Sequence, residues 1–198
     1  MATTTVYVEI LSRLLGIPVP TITTYIQRLR KDETVFRRGK QGPGAVEPTA
    51  AEIANLIIAL CATPSTGRKG PDPLNVVRTA RAAVRLEESR VDATTECLTV
   101  TREPTFGDAI EALIADIRSG AYAAWKGEGW PRAVIRFYDH GGRIFINLCR
   151  HGDAMTALVF RNDDGDHGGP CLEQIAELEI FAIEMAAKAM GPVMTAPD

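Results

Sequence analysis

Thr21, Thr23, Thr24 and Gln27 fall in one short stretch directly behind Val19 and Pro20. These residue types offer weak, directional chemistry. A threonine methyl can pack against a thymine methyl, and a glutamine amide carries a donor and an acceptor side by side, the pattern that pairs bidentately with an adenine edge. Cations follow them closely: Arg28, Arg30, Lys31, Arg37, Arg38 and Lys40. Between residues 10 and 40 there are seven Lys/Arg against two Asp/Glu, the footprint that contact with phosphates requires. Arg68 and Lys69 form a second, smaller basic pair.

Other candidates for chemistry lie further along. Cys149-x-His151 and His167-x3-Cys171 supply four potential zinc ligands, but not at the spacing of a finger or ribbon. Asn162-Asp163-Asp164-Gly165-Asp166 has half of a calcium loop and lacks the closing glutamate, so a solvated turn is the expectation. Trp125 and Trp130 flank Lys126-Gly127-Glu128-Gly129 and read as packing under a loop. No phosphate-binding glycine motif follows a strand, and nucleophile elbows and HExxH are missing. No catalytic residue, cofactor or metal is therefore expected.

The threonines and the glutamine need two helices and a tight turn to present them. Apolar spacing predicts helices over 5–15 and 19–31. Ser12 is small enough for a close crossing, Gly16 suits a turn at positive φ, and Leu11, Leu15, Ile17, Ile22 and Tyr25 fill the inner positions. Pro18 and Pro20 fall in the first turn of the second helix, where unpaired N–H groups make proline tolerable. A glycine-rich basic arm, 37–44, follows.

Thr49-Ala50-Ala51-Glu52 has capping-box spacing and opens a helix whose stripe is Ile53, Leu56, Ile57, Leu60 and Cys61. Asp72-Pro73 opens a fourth helix, to about residue 88. Polar residues 89–94 read as a link. A strand is expected over 96–102, a helix from Thr105 to Ser119 stopped by Gly120, and strands over 132–138, 143–149 and 155–161. Asp139-His140-Gly141-Gly142 marks the turn between the first two strands of that run. A last helix over 171–190, with Leu172, Ile175, Leu178, Ala182, Met185 and Ala186 on one side, is so apolar that it is either deeply buried or a dimer seam. The expected fold class is α+β: an all-helical N-terminal helix-turn-helix module over 1–90, then a small antiparallel α+β domain over 95–192.

The run Gly-Ile-Pro-Val-Pro-Thr-Ile-Thr-Thr from Gly16 to Thr24 resembles the turn and recognition helix of helix-turn-helix regulators, which typically read Gly-Val-Ser-x-x-Thr-Val-Ser-Arg. That resemblance implies double-stranded DNA as partner, with Val19, Pro20, Thr21, Thr23, Thr24 and Gln27 at the base edges and Arg28, Arg30, Lys31, Arg37, Arg38 and Lys40 at phosphates. Pro18 departs from the pattern, standing where a capping serine is usual. Residues 8–62 also resemble phage-derived regulatory proteins of alphaproteobacteria, including activators of gene transfer agents; this implies promoter binding beside RNA polymerase or another DNA-bound protein.

Charge is split along the chain. Residues 1–90 carry +5 and residues 91–198 carry −8, within an overall −3, which suggests modules with different partners. No apolar run is long enough to cross a bilayer, and no secretion signal opens the chain. Four scattered cysteines read as reduced thiols, so a cytoplasmic, homo-oligomeric regulator is expected. Two rival readings remain: a phage small terminase subunit, disfavoured by the three antiparallel strands, and a metal-dependent enzyme using the Cys/His cluster.

Overall fold

In a computed structural model, residues 4–38, 47–63, 71–126, 132–138, 143–150, 154–162 and 176–190 are described. Helix α1 (Thr4–Leu15) and helix α2 (Val19–Leu29) flank a three-residue turn. Gly16 takes φ 65°, the left-handed conformation expected of it, because a side chain there would crowd its own carbonyl. Pro18 gives no side-chain cap; its carbonyl instead accepts from the Thr21 and Ile22 amides at 2.9 and 3.2 Å.

Helix α3 (Ala50–Ala62) closes its capping box as the spacing predicts: Thr49 Oγ1 accepts from the Glu52 amide, and the Glu52 carboxylate accepts from the Thr49 amide. Every residue from Glu52 to Leu60 is buried, so α3 is the central helix and its apolar stripe widens to the full circumference. Around it lie α4 (Pro73–Ala82), α5 (Phe106–Ser119) and α7 (Ile180–Ala189), with the short α6 (Ala121–Lys126) after α5. Gly120 ends α5 at φ 85°.

The sheet has the order β1-β4-β3-β2-β5, all neighbours antiparallel. Its strands are β1 (Val84–Arg85), β2 (Arg132–Tyr138), β3 (Arg143–Arg150), β4 (Ala154–Arg161) and β5 (Ala176–Glu179). Ile135, Phe137, Ile144, Ile146, Leu148, Leu158 and Phe160 alternate along the central strands and are buried. Phe106 of α5 meets Phe137 and Phe160 edge-on, each at 5.6 Å between centroids.

The α+β class and its N-terminal helices stand as expected, with four local differences. Residues 96–102 are not a strand: one 3₁₀ turn, Ala93–Thr95, precedes them and a second, Thr99–Arg102, closes them. Leu98 and Val100 are buried at strand-like spacing, yet the backbone donors go to local carbonyls and to Asp116, which accepts from the Val100 amide at 3.1 Å. Helix α4 stops at Ala82 rather than near 88: the Ala83 carbonyl accepts from Phe106 and the Arg85 amide donates to Pro104, drawing the chain into the sheet. Residues 176–179, assigned above to the last helix, pair with β2; their alternating Ala-Glu-Leu-Glu pattern fits a strand, and α7 starts directly after it. Residues 171–175 of that helix lie outside the described residues, as does the 139–142 turn.

Residues 89–94, read as a link, run along β4 instead. The Arg90 and Ala157 amides and carbonyls bond reciprocally at 2.8 and 2.9 Å, and the Asp92 amide donates to Thr156 Oγ1 at 2.7 Å. This segment covers an otherwise open sheet edge. The core is continuous across it: Tyr7 and Leu11 of α1 belong to one buried cluster with Ile183 and Ala187 of α7 and Phe160 of β4. Ile183, Ala186 and Ala187 of α7 are buried, with the helix packed against α1 and α5, whereas Met185 is exposed.

Candidate nucleic-acid interface

Helix α2 is two-faced. Ile22, Tyr25, Ile26 and Leu29 are buried, while Val19, Pro20, Thr23, Thr24, Gln27, Arg28 and Lys31 are exposed. Thr21 is half-buried. At about 100° per residue, Pro20, Thr24, Gln27 and Lys31 form the stripe farthest from the buried face. Thr23 and Arg30 share one flank of it, and Arg28 lies on the other. The first turn ends in Pro18, Val19 and Pro20, which are exposed and carry no long side chain to hold a partner off.

The threonine hydroxyls are committed locally. Thr23 Oγ1 donates to the Val19 carbonyl and Thr24 Oγ1 to the Pro20 carbonyl, both at 2.9 Å. What each turns outward is a methyl group and an oxygen that can still accept. Gln27 is thus the one residue of the stripe that offers both an amide donor and an acceptor.

The cations divide into two groups. Arg28 is exposed on α2 and Lys31 just past its end. Arg30, Arg37 and Arg38 instead meet where the chain turns back after α2. The Arg30 guanidinium lies 5.6 Å from the Phe36 ring centroid. Arg37 is bound to Glu52: its amide and Nε donate to Oε1 at 2.8 and 2.9 Å, and Nη2 donates to Oε2 at 2.8 Å. Burial alone would raise the Glu52 carboxyl, but the hydrogen bonds from Arg37 and Thr49 outweigh it and hold the group below its ordinary value. Arg37, expected at a phosphate, is therefore committed to holding the turn onto the start of α3. The capping box gives away Glu52 as a helix start, but nothing in its spacing signals this second role. Arg38 stays 70% exposed and, among the described residues, reaches to Glu33 and the Arg30 carbonyl, both at 3.4 Å. Asp32 introduces a counter-charge after α2; Thr34 and Arg78 bind it, bringing its carboxyl down to about 2.

Lys40, Arg68 and Lys69 lie outside the described residues, as do Trp130, His140, His151, His167, Cys171 and 163–166. Among the described residues, no group of His, Cys, Asp or Glu could hold a metal ion, and no helix is long and apolar enough to cross a membrane. No known protein family, curated protein or solved structure matches the chain.

Proposed function

We propose that the chain is a sequence-specific DNA-binding transcriptional regulator whose α1–Gly16–α2 unit is a helix-turn-helix. In this reading α2 seats in the major groove with Pro20, Thr24 and Gln27 toward base edges and Val19 and Thr23 beside them. Arg28, on one flank of the stripe, and Lys31, at its far end, reach the phosphates. The single observation that carries the reading is the division of α2: its apolar face is spent on the core, while its small polar residues and two cations remain exposed beyond a glycine-bent turn.

Charge supports a division of labour. The basic N-terminal part suits the polyanion, and the acidic remainder suits a contact with RNA polymerase, another DNA-bound protein or a second copy of the chain. Such a regulator would work in the cytoplasm. The experiment is a titration of the full chain into labelled duplex DNA at several salt concentrations. Arg28→Ala and Lys31→Ala should each flatten the salt slope by about one while leaving sequence preference intact. Absence of duplex binding at low salt refutes the reading.

A further inference from the structure

Beside α2 lies a cleft of about 80 Å³ that the base-facing stripe does not use. Arg30, Arg37 and Arg38 line it, with Phe36 and Pro48 as apolar walls and Glu52 at one side. The turn after α2 builds it: the Val35 and Phe36 amides both donate to the Asp32 carbonyl at 3.0 Å, folding Phe36 back under Arg30. Three arginines line one cleft as a result, although repulsion between like charges would spread their guanidiniums apart.

Of the carboxylates nearby, Glu47 accepts from the Tyr7 hydroxyl at 3.1 Å. Glu52 is saturated by Arg37 and Thr49. Glu33 meets Arg38 only at 3.4 Å, with both side chains mostly in water, where such a pair counts for little. Arg30 Nε is buried and finds no acceptor among the described residues. A buried donor without an acceptor is costly.

We propose that this cleft is an oxyanion site that takes a phosphoryl group. Guanidinium forks match the oxygens of a phosphate, and Arg30 and Arg38 are the two forks that Glu52 does not occupy. Two sources share that chemistry: free phosphate, and a backbone phosphate of the duplex. Arg30 lies two turns beyond Thr23 on the same flank of α2, so a phosphate held here would sit alongside a helix docked in the groove. In this second form the inference rests on the duplex reading above; in the first it stands without it.

The test uses the full chain as wild type, Arg30→Gln and Arg38→Gln, in calorimetric titrations with inorganic phosphate and in duplex-binding titrations. Arg38 is 70% exposed, so its replacement leaves the fold intact and decides the matter if Arg30→Gln fails to fold. Saturable one-to-one phosphate binding that both variants weaken about tenfold supports a free-ligand site. Weak or absent phosphate binding, with duplex affinity down about tenfold and the salt slope reduced by about one in both variants, supports a backbone contact. Indifference of both ligands to both variants overturns the proposal. Absent phosphate binding, with duplex binding that responds to Gln27→Ala but not to either arginine variant, sinks the cleft alone. Phosphate binding without any duplex binding sinks the regulator reading alone.

Discussion

Replacing Glu52 tests how the turn after α2 is held. Its carboxylate, 7% exposed, accepts from five donors: the amide, Nε and Nη2 of Arg37, and the amide and hydroxyl of Thr49. In Glu52→Gln one of the two acceptor oxygens becomes an N–H₂ group. Arg37 can turn its guanidinium to water, because its side chain is already 48% exposed, so that loss is cheap. The backbone amides cannot move: either Thr49 N or Arg37 N is left facing a donor, at about 1–3 kcal/mol for an orphaned buried group. Where Thr49 N is the orphaned amide, that loss is the half of the capping box that Glu52 supplies. The expected cost is about 2 kcal/mol for Glu52→Gln and about 3 kcal/mol for Glu52→Ala, which also removes the remaining acceptor. In a domain of this size, 2 kcal/mol corresponds to a Tm lower by about 4–8 °C. Urea unfolding followed by circular dichroism measures it. Glu88→Gln serves as control, since its bond to Arg143 joins two side chains that are 55% and 50% exposed. The pH dependence has a definite sign. A carboxyl held low in the fold contributes stability above its unfolded value and loses it as pH falls through the folded value, so wild type and Glu52→Gln should converge in acid. Equal, negligible costs for Glu52→Gln and Glu88→Gln would refute the reasoning.

Gly16→Ala should cost about 1–2 kcal/mol in the same assay from backbone strain alone, because nothing lies within 4 Å of the added methyl. Gly107→Ala, in the first turn of α5, should forgo the usual helix gain of up to about 1 kcal/mol and lower the Tm, because its methyl would lie 3.1 Å from the Arg81 carbonyl and side chain; a rise in Tm would contradict that packing. Burial pushes the phenols of Tyr7, Tyr25 and Tyr122 above their ordinary value, and a hydrogen bond to Glu47 adds to this for Tyr7. Their contribution to stability is complete below the unfolded value and is lost as pH rises toward the folded one. Tyrosinate absorbance of these three should therefore appear together with alkaline unfolding, and early titration of any of them in folded protein would contradict their burial.

What could be read from the sequence was what depends on near neighbours. Gly16, the Thr49–Glu52 box, the Asp72-Pro73 start and the Gly120 stop act over one helical turn, and each sits as its spacing implies. The α2 faces followed from periodicity, since the apolar stripe fixes which residues remain outside. Long-range competition escaped it. Residues 96–102 alternate like a strand, but the partner of Val100 is Asp116, sixteen residues away and on a helix. The acidic residue that claims Arg37 lies beyond the arm, so a basic run on paper became part of the scaffold. Residues 89–94 looked like a link because their polar groups serve β4, a strand that comes some sixty residues later.

The central claim is that the exposed stripe of α2 reads bases. Selection of bound duplexes from a random-sequence pool by the full chain, wild type beside Gln27→Ala, tests it most directly. The account predicts an enriched motif for the wild type and the loss of preference at one or two of its positions, at an A·T pair, in the variant, while overall affinity falls by about 1–3 kcal/mol. No enriched motif, or the same motif from both proteins, would contradict it.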